Sequence, residues 1–278
     1  MSQELRLRIL SAIVLAAIVL VGSWYGGRVF ALLAEAIAFL VYYEWTSMTR
    51  ARHADPQAFW TGWVVLAILA FEVLAGEAIP FDDYYVWGAA AVGFAYAAIV
   101  ARNKWNAGGI VYAGLTGLSL AAIRGDDLSG LVAILYIFAV VWSTDIAAYF
   151  TGRAIGGPKL APAVSPGKTW SGALGGAVAA VICGPLLVLF YMRGVSIWII
   201  GLSIVLSVLS QIGDLFESFM KRRYKVKDSS HLIPGHGGVM DRIDGLVFAC
   251  FGAFLLKALM VSADAGVGAF LLGGSIPY

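Results

Sequence analysis

Four aspartates carry the chemistry that this sequence is equipped to do. Asp145 stands in "WSTDIAAYFTGR", near the end of an apolar run, with Tyr149 one helical turn on. Asp214 stands in "SQIGDLFESFMKRR", where Ser210, Asp214, Glu217, Ser218 and Lys221 follow at spacings of three or four and share one helix face. Asp241 and Asp244, in "DRIDG", are three apart at the start of another apolar run, where a helix N-terminus favours carboxylates. Ionisable groups at membrane depth are costly, so each is a functional candidate. All four are expected at one depth, close to one membrane boundary. Hard cations such as Mg²⁺ take oxygen ligands, and one or two carboxylates plus substrate phosphates hold them. Carboxylates converging from three helices fit a divalent-metal site of one or two ions, with Asp214, Asp241, Asp145 and Asp244 as ligands. An additional monovalent ion stays open.

The surrounding charge is positive. Lys221, Arg222, Lys225, Lys227 and Arg242 adjoin these carboxylates in sequence, and Lys159 and Lys168 join them if the two polar loops meet. Acidic ligands beside a cationic loop suit a phosphate-rich, metal-bound substrate. Gly235, Gly237 and Gly238 would let backbone amides approach phosphate oxygens. His236 sits between them, where a hydrogen-bond donor or proton-transfer group is useful. The glycine pattern is neither a Walker loop nor a dinucleotide fingerprint.

Apolar helices must position these groups. The chain has 278 residues, 60% hydrophobic and 13% charged, against roughly 25% charged in soluble domains. Apolar runs long enough to cross a bilayer recur throughout. An all-α polytopic integral membrane protein follows, with about nine spans near 9–22, 27–48, 57–75, 85–101, 107–123, 131–151, 171–192, 196–220 and 245–263. The first run is read as a retained helix and not a cleaved signal. With the N-terminus cytoplasmic, the inner segments hold 15 of the 19 Lys and Arg residues, the bias of the positive-inside rule. Residues 1–130 are expected to be scaffold spans with dimer contacts. Residues 131–278 are expected to be catalytic spans, with cytoplasmic loops 152–170 and 221–244.

Other features have plainer readings. Cys183 and Cys250 lie far apart in apolar runs and read as small buried hydrophobes. Trp60 and Trp87 read as interfacial anchors, His53 and His231 as loop residues, and Glu72 as structural. Glu35 and Glu44 are left open.

At this point the residues resemble a known signature. Ser218-x-x-Lys221-Arg222, then Lys227-Asp228, then Pro234-x-His236-Gly237-Gly238-x-x-Asp241-Arg242-x-Asp244 resembles that of the phosphatidate cytidylyltransferases, or CDP-diacylglycerol synthases. The upstream segment "DIAAYFTGR…KLAPAVSPGKTWSG" is also similar to that family, so the resemblance covers residues 142–250. Ser171 departs from it, because many members carry Glu there. The resemblance implies transfer of CMP from CTP to phosphatidate, giving CDP-diacylglycerol and pyrophosphate in phospholipid biosynthesis. It also implies a divalent metal and often a homodimer. Phosphatidate, CTP and membrane lipids are then the partners, with no nucleic acid. The expected location is the bacterial inner membrane, with the site facing the cytoplasm. Asp214 and Asp241 would hold metal with Asp145 and Asp244 assisting, and Lys221, Arg222, Lys227 and Lys168 would hold phosphates. Ser218 and Ser165 would orient them, and Gly237, Gly238, Arg242 and His236 would complete the site.

Two rivals stand beside this reading. Another metal-dependent lipid or polyprenol phosphotransferase or kinase would use the same groups, but no CDP-alcohol phosphotransferase pattern is present. An ion-coupled transporter would place its charges near the midplane, often in inverted repeats, whereas here they crowd one face.

Overall fold

The computed structural model describes residues 3–75, 91–96, 98–99, 101–192, 194–260 and 267–272. The chain is a succession of helices: α1 (Gln3–Tyr25), α2 (Gly27–Thr49), the single turn α3 (Ala51–Ala54), α4 (Pro56–Ala75), α5 (Lys104–Arg124) and α6 (Leu128–Ile155). After the short strands β1 (Lys159–Ala161) and β2 (Ser165–Thr169) come α7 (Trp170–Tyr191), α8 (Ile197–Arg223), α9 (Met240–Met260) and α10 (Val267–Leu272). Seven described helices, α1, α2 and α4 to α8, are long and apolar enough to cross a membrane by length and composition. The all-α polytopic class is therefore borne out. Of the expected span 85–101, residues 91–96 and 98–99 are helical, while 85–90, 97 and 100 lie outside the described residues. The expected span 245–263 corresponds to α9.

By its contacts the chain divides into two units, Met1–Ala122 with Tyr224–Arg242, and Ile123–Arg223 with Ile243–Tyr278. The first unit is built on α2. Its Ala34, Ala38, Val41, Tyr42 and Trp45 recur at helical spacing and are buried. The Tyr42 hydroxyl donates to the carbonyls of Ala58 (3.2 Å) and Phe59 (3.0 Å). Gly62 leaves room for it, since a Cβ there would lie 1.9 Å from the hydroxyl oxygen. Trp45 Nε1 donates to the Trp105 carbonyl at 2.8 Å. Helix α4 opens on Asp55-Pro56, an acceptor followed by the one residue that has no N–H to satisfy. The Asp55 carboxylate accepts from the N–H groups of Arg102 (2.8 Å), Asn103 (3.3 Å) and Ala58 (3.4 Å).

The second unit is built on the pair α6 and α7. Asp127 caps α6 by accepting from the Gly130 N–H at 2.7 Å, and Thr169 caps α7 by accepting from the Gly172 N–H at 3.1 Å. Along α7, Gly172, Gly176, Ala180 and Gly184 are four residues apart and buried. Small residues at that spacing let two membrane helices approach closely. A Cβ on Gly172 would lie 2.7 Å from the Ala148 carbonyl oxygen, and one on Gly176 would lie 2.8 Å from that of Thr144. Helix α8 packs on both. Polar contacts fix that packing: Tyr136 donates to the Ile199 carbonyl at 3.1 Å, and Thr144 to Ser207 at 2.9 Å. Gly156 and Gly157, at φ 68° and 100°, turn the chain out of α6 into an antiparallel hairpin that pairs Lys159 with Thr169. The sequence had suggested only a loop here.

Gly176→Leu is expected to destabilise the protein by about 1–3 kcal/mol or more, because the helix backbones must part. Gly201→Ala, where a Cβ meets nothing within 4 Å, is the control and should leave the melting temperature unchanged or slightly raised. Thermal unfolding in detergent checks both.

Candidate active site

In the second unit the hairpin carries Lys168 to α8, where its ammonium donates to Asp214 Oδ2 at 2.6 Å. The hairpin also meets the end of α8, where Arg222 Nε donates to the Val164 carbonyl of the hairpin turn at 3.4 Å. Asp145 lies close enough for the charges of Asp214 and Lys168 to bear on it. These three line a cavity of about 560 Å³, together with Tyr149, Arg153, Lys159, Thr169 and Gln211. Arg153 Nη1 donates to the Tyr149 hydroxyl at 2.8 Å, which orients the guanidinium. Two glycines bring α9 against α8. A Cβ on Gly213 would lie 2.4 Å from the Asp244 carbonyl oxygen, and one on Gly245 would lie 3.1 Å from Asp214 Oδ1. Asp244 consequently stands beside Asp214, within reach of Glu217 as well. One turn on, Lys221 donates to Glu217 Oε2 at 2.6 Å. Ser218 is half-buried on α8, and Ser165 opens β2 opposite Ala161.

The remaining expected residues belong to the first unit. Between Tyr224 and Met240 the chain has little regular structure and bends at Gly235 (φ 76°) and Gly237 (φ 83°). Ile233 and Gly237 close a tight turn, the Ile233 N–H donating to the Gly237 carbonyl at 2.8 Å. His236 Nδ1 is 2.7 Å from Ser11 Oγ on α1, and Arg242 donates twice to the His236 carbonyl, at 3.0 and 2.8 Å. Partial burial, with the positive charges of Arg242 and Arg8 nearby, holds the His236 ring below the usual histidine range. Asp241 Oδ2 accepts three hydrogen bonds, from the Ser229 N–H (2.9 Å), the Ser229 hydroxyl (2.8 Å) and the Gly238 N–H (2.8 Å). Lys227 is exposed.

The structure thus gathers Asp145, Lys168, Asp214, Lys221 and Asp244 in one unit. It places Lys227, His236, Gly237, Gly238, Asp241 and Arg242 in the other. Among the described residues no three His, Cys, Asp or Glu side chains form a metal-ligand group. The donors at Asp145, Asp214 and Asp244 are carboxylate oxygens, which fit a hard divalent cation completed by substrate phosphates. Glu44 was missed: it is fully buried yet takes four hydrogen bonds from residues 229–240. Its cost at membrane depth was the available signal.

The fold is that of a helical membrane protein, with carboxylates and ammonium groups gathered in one unit and a glycine-bent loop in the other. The chain belongs to the cytidylyltransferase family, whose profile matches residues 6–260. It is 45% identical to the phosphatidate cytidylyltransferase of Brucella suis biovar 1, over 94% of this chain and 96% of that one. It is 35% identical to the Haemophilus influenzae phosphatidate cytidylyltransferase, over 88% of this chain and 96% of that one. With the Bacillus subtilis protein of the same name the identity is 37%, over 70% of this chain and 66% of that one. The resemblance drawn from the signature is borne out.

Lys168 and Asp214 keep side-chain exposures of 30% and 21%, so solvent screens their pair. Lys168→Met should therefore change the unfolding free energy by less than about 1 kcal/mol, measured by denaturation in detergent. A larger loss would mean that the hairpin depends on this contact.

Proposed function

We propose that this chain is a phosphatidate cytidylyltransferase that transfers CMP from CTP to phosphatidate, giving CDP-diacylglycerol and pyrophosphate. The family assignment and the near-complete similarity to proteins of that name support the activity. The observation that carries the reading to particular residues is the Lys168–Asp214 contact on the wall of one cavity with Asp145, with Asp244 beside Asp214.

A phosphate oxygen of phosphatidate attacks the α-phosphorus of CTP. A new phosphorus–oxygen bond forms there, and the bond to the bridging oxygen of the β-phosphate breaks. The attacking phosphate is already ionised near neutral pH, so a general base has little to add. The difficulty lies in aligning two anions that repel and in stabilising charge on the departing pyrophosphate. Lys168, with Lys221 and Arg222 at the end of α8, supplies the fixed positive charge. Asp214, with Asp145 and Asp244, would hold a divalent cation, for which Mg²⁺ is proposed. When bound, that cation would neutralise phosphate charge and orient the α-phosphorus. Arg153 and Lys159, on the cavity wall, add two further cationic groups. Ser165 and Ser218 are proposed to orient phosphates from the hairpin and from α8. An N-terminus and site facing the cytoplasm, in a bacterial inner membrane, would let CTP arrive from water while the lipid enters sideways. A homodimeric state is carried over from the family resemblance.

Purified protein in detergent with phosphatidate, Mg²⁺ and radiolabelled CTP should form labelled CDP-lipid and release pyrophosphate, and a chelator should abolish both. Asp214→Asn and Lys168→Met should each lower the rate by about 100-fold, near 2.7 kcal/mol of barrier. Labelled lipid at the wild-type rate from Asp214→Asn would remove that residue from the chemistry. Absence of CDP-lipid from the wild type would sink the activity itself.

A further inference from the structure

Glu44 is a carboxylate from α2 with no exposed surface. Its Oε1 accepts from the Ser230 hydroxyl at 2.6 Å and the Val239 N–H at 2.8 Å. Its Oε2 accepts from the Met240 N–H at 2.7 Å and the Ser229 hydroxyl at 3.0 Å. Every donor comes from residues nearly two hundred positions away, and two of them are backbone groups where α9 begins. Glu44 therefore does for α9 what a capping side chain normally does from within the same segment. A burial this complete is tolerable only because both oxygens are supplied with donors.

The same loop holds Asp241. The Ser229 hydroxyl lies within hydrogen-bond distance of both Glu44 Oε2 and Asp241 Oδ2, so one proton is shared between two carboxylates. Gly238 has no space for a side chain, because a Cβ would lie 2.0 Å from Ser229 Oγ and 2.5 Å from Glu44 Oε1. A Cβ on Gly237 would lie 2.8 Å from Asp241 Oδ2. The amides that the glycines expose are also engaged: those of Ser229 and Gly238 with Asp241, and those of Val239 and Met240 with Glu44.

We propose that Glu44 is a positioning residue: through Ser229, Ser230 and the first amides of α9 it brackets the His-Gly-Gly loop and sets the carboxylate of Asp241. Gly237 and Gly238 then make room for carboxylates, and the amides of Gly238, Val239 and Met240 serve those carboxylates. The proposal rests on the cytidylyltransferase reading for its kinetic arm only.

Glu44→Gln is the informative variant. Its single amide oxygen can serve one pair of donors, and whichever way it turns, its NH₂ group faces a backbone N–H that cannot accept. Hydrogen exchange followed by mass spectrometry should show protection over residues 229–240 falling by about tenfold or more. In the assay kcat should fall by about tenfold or more while KM for CTP stays within about threefold. Glu44→Asp, which keeps both oxygens, should recover part of the loss. Ser230→Ala, which removes a single donor, should give the same pattern at about threefold, and it decides the matter if Glu44→Gln does not fold. Wild-type exchange and kcat in these variants would overturn the proposal. So would faster exchange with kcat unchanged, or a loss carried by KM for CTP alone. If the wild type makes no CDP-lipid, the activity reading fails, while the exchange experiment still reads the bracket.

Discussion

In a chain this apolar, a carboxylate is retained only where the fold brings donors to it, and most of the polar architecture follows from that constraint. Glu44 is met by four donors and Asp241 by three, while Asp214 and Glu217 each meet a lysine ammonium. None of these partners is adjacent in sequence. The nearest are Gly238, three residues before Asp241, and Lys221, a full turn from Glu217 on the same helix. Glu44, Asp214 and Asp241 therefore act as long-range ties between segments. The tie is strong because an unsatisfied partner left in an apolar surrounding is expensive.

Such ties need backbones that come close, and glycine is what permits it. Gly172 and Gly176 bring α7 onto the carbonyls of α6, and Gly213 and Gly245 do the same for α8 and α9 at the level of Asp214 and Asp244. The glycines at 237 and 238 apply that economy of space within a loop. Side-chain packing alone could not hold charged groups at such separations in an apolar setting.

Much of this was legible in the residues themselves. Apolar run length placed the described helices to within a few residues at most of their ends, and the spacing of Ser210, Asp214, Glu217 and Lys221 put them on one face of α8. The contact of the 152–170 segment with α8 at Lys168 and Arg222 had no signal in local spacing beyond the shared positive charge. The hairpin was not legible, because strands of three and five residues containing Pro166 and Gly167 show no alternation to read. Glu44 was not legible either. Local spacing carries no information about a partner 196 residues away, and only the cost of its burial hinted at a role.

The pair α6 and α7, with the hairpin between them, is contiguous from Leu128 to Tyr191. Its close contacts are therefore local, the kind that form early and fast. During synthesis this segment can assemble before α8 leaves the ribosome. Most of the cavity wall, from Asp145 to Ala173, then exists before Gln211 and Asp214 arrive to complete it. Lys168 waits for its carboxylate as a preformed cation, and α8 docks against a surface already shaped to receive it. Biogenesis of the cavity is thus ordered along the chain, and α8, emerging later, adds Asp214 to the Asp145 already in place.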